Sequence, residues 1–472
     1  MEICYQPHID REIESLIERI HPPWVSIEND ACRNCTVVKV DSANKYGILL
    51  EMVQVLTDLD LIISKSYISS DGGWFMDVFH VTDQAGKKLT DETLMRRIEQ
   101  GLCTTRAKGD NSRDAEVPEA DCEEQGPQAE NTALEMSGMD RPGLLSEIAA
   151  VLADLGCNVT SANAWTHNEM TACIFYVEDA AKPGPIKDPT RLAQVEEQLE
   201  SVVEAHHGKR ERKSVRLTNF AAGRTHTERR LHQLMYADRD YESCRACDGD
   251  SSGEHKKGCD GTHVSIIRCR DRGYWMVNVT SRDRPKLLFD TVCVLTDLRY
   301  VVFHAAIRSK KSMADQEYFI RHKEDSKALF DESEKQKMIL CIIAAIERRV
   351  SHGLKVDIRT ENRVGLLSKV TRVFRENGLY ISRVEIGTKG EEAVGTFFVN
   401  DSSGGEVNPG IAELVRQECG GTVVTDKMTP HRVSQTSPWA IVRENVEAKP
   451  RFSLGSMLWS QFERFSGNFG SH

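Results

Sequence analysis

Four stretches of the chain repeat one arrangement: a short polar residue, a turn, and an apolar pair that opens a helix. They read Asn44-Lys45-Tyr46-Gly47-Ile48-Leu49, Asp140-Arg141-Pro142-Gly143-Leu144-Leu145, Asp283-Arg284-Pro285-Lys286-Leu287-Leu288 and Asn362-Arg363-Val364-Gly365-Leu366-Leu367. An Asp or Asn ahead of a helix can accept hydrogen bonds from backbone N–H groups two or three residues on, as an N-cap does. A glycine three residues later allows close backbone approach and unusual torsions. Pro142 sits where a first-turn proline is tolerated. The product is a helix N-terminus with outward-facing N–H groups, and such an end attracts a carboxylate. A molecule carrying both a carboxylate and an ammonium, a free amino acid, suits it. Backbone donors hold one end, and the Asp or Asn side chain or backbone carbonyls hold the other. For any single turn, capping without a ligand is the competing reading.

The elements around these turns repeat as well. With the Asp or Asn as position zero, Val38, Leu134, Val277 and Val356 stand six residues before it, and Val40, Met136, Val279 and Ile358 four before. That is the period-two alternation of a half-buried strand. Downstream of the second turn, Leu144, Leu145, Ile148, Ala149, Leu152 and Leu155 make the one-sided stripe of a helix packed on a sheet. Plus 12 is Leu56, Leu152, Leu295 and Phe374, and plus 19, the start of a further strand, is Ile63, Val159, Val302 and Ile381. Such register in four copies marks a duplicated module. Each unit reads strand, helix, strand, strand, helix, with a closing strand expected.

The predicted layout is an N-terminal helix and lead-in (1–35), a first unit (36–103), an acidic disordered linker (104–130), and a second unit (131–218). A Cys- and Gly-rich insert (219–272) follows, then a third unit (273–352), a fourth (353–428) and an aromatic tail (429–472). The third unit is irregular. Only Val350 to Gly353 separates its second helix, Ser333 to Arg349, from the next strand, so its closing strand is missing or borrowed.

With 472 residues there is room for three or four ordinary domains, and a net charge of −11 argues against a general nucleic-acid binder. No run of about 18 apolar residues exists, so no transmembrane segment is predicted. The 14 cysteines without a leader peptide point to a reducing compartment, the cytoplasm or the nucleus. Cys244, Cys247, His255 and Cys259, with His263 beyond, are a candidate zinc set. The cluster offers one Cys-x-x-Cys where finger-like spacing has two, and the preferred reading is a variable loop. The chain lacks GxxxxGK[ST], GxGxxG after a strand, and any His-Asp dipeptide, so no enzyme and no cofactor are predicted.

The Asp-Arg-Pro-Gly-Leu-Leu turn, the helix end that follows it and the hairpin after that resemble the ACT domain. This is a small amino-acid-sensing module of α+β, ferredoxin-like βαββαβ fold. Four such units without an attached enzyme are similar to the ACT-domain-repeat proteins of plants, notably over Lys39–Lys45, Ser69–Val78 and Arg284–Val292. They are also similar to the ACT region of the bacterial uridylyltransferase/uridylyl-removing enzyme. The resemblance implies units paired side by side through their sheets, within the chain or in a homodimer, with ligands at the interface near the first turn. By position it marks Asn44, Gly47, Asp140, Gly143, Asp283, Asn362 and Gly365, while Lys286 replaces the third glycine. The function expected is a regulatory sensor of free amino acids that signals to a protein partner. The alternative is an interaction scaffold of ACT folds that no longer bind ligand.

Overall fold

The computed structural model describes residues 24–71, 73–104, 131–182, 184–205, 214–218, 226–242, 261–269, 273–310, 312–324, 331–350, 353–403 and 406–428. The N-terminal helix expected ahead of the first unit, nearly all of the 104–130 linker, Cys244, Cys247, His255, Cys259 and the tail from 429 lie outside them.

Alternation in the sequence becomes alternation in burial. Along β10 (Tyr274–Arg282), Trp275, Val277, Val279 and Ser281 are buried and the residues between them are half-exposed. The stripe after the second turn becomes the buried face of α3 (Leu144–Asp154). The first unit comprises β1 (Trp24–Glu28), β2 (Thr36–Ala43), α1 (Ile48–Asp58), β3 (Ile62–Asp71), β4 (Trp74–Thr82) and α2 (Glu92–Thr104). The second has β5 (Thr132–Met139), α3, β6 (Cys157–His167), β7 (Met170–Asp179), α4 (Pro189–Glu204) and β8 (Val215–Thr218). A lone helix follows, α5 (Thr227–Ala237). The third unit has β9 (His263–Cys269), β10, α6 (Leu287–Asp297), β11 (Tyr300–Lys310), β12 (Met313–His322) and α7 (Glu332–Glu347). The fourth has β13 (Gly353–Glu361), α8 (Leu366–Glu376), β14 (Leu379–Lys389), β15 (Glu392–Asp401), α9 (Ile411–Cys419) and β16 (Thr422–Met428).

The strands form two eight-stranded sheets, ordered β1-β2-β4-β3-β11-β12-β10-β9 and β16-β13-β15-β14-β6-β7-β5-β8. The first unit therefore pairs with the third, and the second with the fourth. The seams are antiparallel: Ile68 faces Ala305 between β3 and β11, and Ala162 faces Ile386 between β6 and β14. All four seam strands carry a bulge at the same repeat position, between Ile63 and Lys65, Val159 and Ser161, Val302 and His304, and Ile381 and Arg383. A bulge bends a strand and strengthens its twist.

The closing strands correct the predicted layout. In the second and fourth units the closing strand follows the second helix, as expected. In the first and third it precedes the unit: β1 lies inside the expected lead-in, and β9 inside the expected insert. The strand missing from the third unit is thus His263–Cys269, paired antiparallel with β10. Strand order within each unit is unchanged, because only the point where the chain enters the module has moved.

Helix α5 fills the space between the two bodies. Leu231, Leu234 and Met235 pack on Trp165, Ala172 and Ile174, the face of β6 and β7 turned away from their own helices. That is why β7 is buried on both faces and reads as a continuous apolar run. On its other side α5 holds the first body: His226 pairs with Asp58 at 2.8 Å and Arg229 with Asp297 at 2.6 Å.

One buried carboxyl stands out. Asp77 is 1% exposed, and the Ser69 N–H donates to it at 3.3 Å. Burial pushes its pKa up from 3.8 to about 8. The folded chain keeps the group protonated while the unfolded chain ionises it. Its contribution is therefore intact below about pH 4 and is lost progressively as pH rises toward 8. Asp77→Asn removes that loss, worth roughly 4 kcal/mol at pH 7. Melting followed by circular dichroism should show the variant well above the wild type at pH 7 and level with it at pH 4. Equal melting points at pH 7 would contradict this.

Candidate functional site

The four turns share a geometry that differs from side-chain capping. The N-cap is the plus-3 residue, in the left-handed region: Gly47 (φ 87°), Gly143 (φ 86°), Lys286 (φ 65°) and Gly365 (φ 77°). Among the described residues no side-chain cap bond is made at these helix starts, so the capping expected of Asn44, Asp140, Asp283 and Asn362 is not what they do. Pro142 precedes α3 rather than entering its first turn. The position-zero residue instead ties the turn to its hairpin. Its N–H donates to the carbonyl of Gly73, Glu169, Ser312 or Glu391 at 2.6, 2.7, 2.8 and 2.8 Å respectively. The carboxylates also hold the turn locally. Burial pushes Asp140 up to about 6 while the Arg141 N–H bonds to it. Burial raises Asp283 as well, against bonds from the Ser309 side chain and the Arg284 N–H.

The left-handed residue sets the helix start. In three copies the plus-4 N–H turns back to the plus-1 carbonyl, at 3.0 to 3.1 Å, and the plus-7 N–H reaches the plus-3 carbonyl. The plus-5 and plus-6 N–H groups have no carbonyl to reach inside the helix. In the fourth copy these belong to Leu367 and Ser368. Where glycine adopts this torsion without a Cβ penalty, Lys286 adopts it with its ammonium 2.8 Å from Glu228.

Pairing of the units decides what each turn faces. Each turn looks onto the end of the first helix of its partner unit, where the plus-13 residue stands. Arg375 fills that place before the second turn, its Cδ 3.1 Å from where a Cβ on Gly143 would stand. Ala153 occupies it before the fourth turn, its Cβ 3.8 Å from the same point on Gly365. Thr57 lines the space before the third turn. At the first, Tyr46 crosses the seam, its hydroxyl donating to the Thr296 carbonyl and Lys323 lying 4.4 Å over its ring.

The clefts differ accordingly. Counting the open mouth, the second turn borders about 290 Å³ and the third about 390 Å³. The fourth borders about 550 Å³, lined by Asn362, Gly365, Ser368, Ala149, Ala153 and Phe397 among others. Two alanines from the partner helix and Gly395 on the floor leave that space.

Charge also separates the fourth copy. A plus-1 cation pairs with a plus-7 acid in the first three: Lys45 with Glu51 at 3.8 Å, Arg141 with Glu147 at 2.5 Å, and Arg284 with Asp290 at 2.8 Å. In the fourth, plus 7 is Lys369 and the first turn of α8 holds no acid. Arg363 turns to Glu361 instead, at 2.6 Å. The fourth helix therefore starts with a more positive field than the others.

The third turn is built into something else. Asp290, 0% exposed, is held by Arg349 at 2.7 and 2.8 Å, by Arg284 at 2.8 Å and by His232 at 2.9 Å. Arg349 also grips both oxygens of Glu228 at 3.1 Å. Burial alone would raise Glu228, but Arg349 and Lys286 overcome it and hold the group at about 2. Arg348 donates to Nδ1 of His232 at 3.0 Å and to Asp240 at 2.7 Å, and Asp240 meets His167 at 2.9 Å. With Nδ1 accepting, Nε2–H of His232 must donate to Asp290. Burial keeps this imidazole neutral by lowering its pKa. The network joins α5, α6 and α7 to the β6–β7 hairpin, and Arg383 of the fourth unit bonds the Arg349 carbonyl at 2.9 Å. Sequence reading passed over these residues, because charges at a helix end usually sit in solvent.

Among the described residues no group of three or more His, Cys, Asp or Glu is placed to hold a metal ion, and no helix is long and apolar enough to cross a membrane.

A profile described as the ACR family N-terminal ACT domain matches residues 31–109, and the ACT domain profile matches 132–204 and 356–420. The chain is 52% identical to ACT domain-containing protein ACR1 of Arabidopsis thaliana, with 100% of each chain covered. It is 45% identical to ACT domain-containing protein ACR2 of the same plant over 99% of each. Over 81 residues, 17% of this chain and 9% of the relative, it is 38% identical to the bifunctional uridylyltransferase/uridylyl-removing enzyme of Azospirillum brasilense. With four βαββα-type modules paired first to third and second to fourth, the chain belongs to the family of ACT domain-containing ACR proteins.

Proposed function

We propose that the chain is a regulatory protein without catalytic activity that binds one free amino acid in the cleft at the fourth turn, between the second and fourth units. The observation that carries this reading is the roughly 550 Å³ cleft left by Ala149, Ala153 and Gly395 at a helix start free of acids. The ligand carboxylate lies on the N–H groups of Leu367 and Ser368, and Lys369 adds its field. The Asn362 amide oxygen and turn carbonyls take the ammonium. Val159, Ile358, Ile386 and Phe397 wall the remainder, which suits an apolar side chain.

Both units contribute walls, so the ligand favours the closed seam over any looser arrangement and shifts the population toward it. That shift changes the surface offered to a protein partner. The other three turns, occupied by Tyr46, Arg375 and the Lys286–Glu228 pair, serve as pairing and anchoring modules. The scaffold reading thus applies to those copies.

Thermal-shift measurement against the twenty amino acids tests the proposal. Ligand at a hundred times its Kd stabilises the chain by about 2.7 kcal/mol, and apolar amino acids should give the largest shifts. No shift with any of them, on a folded sample, would refute it.

A further inference from the structure

The loop between β1 and β2 holds Cys32-Arg33-Asn34-Cys35, a second Cys-x-x-Cys besides that of Cys244 and Cys247. We infer that Cys32 and Cys35 are a redox-active dithiol, closed to a disulfide by small disulfides of the oxidised-glutathione type and reopened by small thiols.

The geometry is asymmetric in the way such exchange requires. Cys35 is 7% exposed, whereas Cys32 lies nearer the surface. The Cys32 sulfur accepts hydrogen bonds from the Cys35 thiol and from the N–H groups of Asn34 and Cys35. The ends of the loop are stitched down. Thr36 Oγ1 donates to Asn29 Oδ1 at 2.6 Å, Asn29 Nδ2 donates to the Leu89 carbonyl at 2.9 Å, and the Leu89 N–H donates to Thr36 Oγ1 at 3.0 Å. Lys88 bonds the Asn29 carbonyl, which brings its positive charge to the loop. The hydrogen bonds from Cys35 and the backbone, aided by Lys88, lower the Cys32 pKa. Burial, then the bond to Cys32, pushes Cys35 up to about 11. By contrast, burial and the charge of Glu99 raise Cys103, an exposed thiol elsewhere in the same unit.

The exchange runs in two displacements. The Cys32 thiolate attacks one sulfur of the small disulfide; that S–S bond breaks, and the departing thiolate takes up a proton. The Cys35 thiol then gives up its proton and attacks the Cys32 sulfur of the mixed disulfide, releasing the second small thiol. Two protein thiols are oxidised and one small disulfide is reduced to two thiols. The ring formed lies within the loop that joins β1, the closing strand of the first unit, to β2.

The full-length chain, reduced and then exposed to oxidised glutathione, gives the test by peptide mass mapping. The peptide carrying both cysteines should lose two hydrogens while Cys103 stays reduced. Cys35→Ser should trap a glutathione adduct on Cys32, and Cys32→Ser should trap none on Cys35. In the unsubstituted chain, so that folding of the variants is not at issue, Cys32 should alkylate at least about tenfold faster than Cys103 at pH 7. Alkylation of Cys32 no faster than that of Cys103, or a wild-type chain that stops at the mixed disulfide, would overturn the inference.

Discussion

Arg349→Met should cost about 3–5 kcal/mol of unfolding free energy, a large share of what a protein of this size has to lose. The methionine keeps the apolar stem, so the loss comes from the guanidinium. Without it Asp290, 0% exposed, keeps Arg284 and His232 among the described residues, and Glu228 keeps Lys286. A buried carboxylate stripped of its strongest partner is left uncompensated in a low-dielectric site. Trp165 also loses the cation 4.8 Å over its ring. Lysine is a poor substitute, since one ammonium cannot serve two carboxylates with a planar fork. Urea titration gives the measurement. Adding Asp290→Asn to Arg349→Met should recover part of the loss, because the two sites share a partner. A single-variant cost under about 1 kcal/mol would mean the network is solvated.

The second large effect concerns binding. Ala153→Arg gives the fourth turn the side chain that Arg375 gives the second, at the symmetric place. Arginine is nearly as good a helix former as alanine, so α3 should persist and melting should change little. Amino-acid affinity should fall at least a hundredfold, about 2.7 kcal/mol, because the new side chain occupies the space the ligand needs. Arg375→Ala makes the converse change and should enlarge the second cleft. The carboxylate of an amino acid entering there would face Glu147, so the gain in binding should be weak. Unchanged affinity in Ala153→Arg would place the ligand elsewhere.

The fold was legible because each unit repeats its apolar register from the first strand through plus 19, and only a helix packed on a sheet satisfies both periods at once. The fourth strands of the first and third units escaped because they precede the repeat. Trp24–Glu28 and His263–Cys269 are short, and each lies inside a stretch that reads as lead-in or insert. Which unit pairs with which could not be read either, since all four seam strands have the same alternation and the same bulge. That gap hid what sets the size of each cleft. Position zero and the plus-3 glycine mark a turn, but Ala153 and Arg375 matter only once the second and fourth units face each other. The acids at plus 7 were visible in the sequence, yet their loss at Lys369 carries meaning only beside an open cleft.

If the fourth turn alone takes a ligand, as proposed, the stoichiometry of binding must be one. Calorimetric titration of the full chain with the amino acid giving the largest thermal shift measures it. One ligand bound per chain, abolished by Ala153→Arg and retained in Asp140→Ala, is the expected result. Two or more ligands per chain, or one that survives Ala153→Arg, would contradict it.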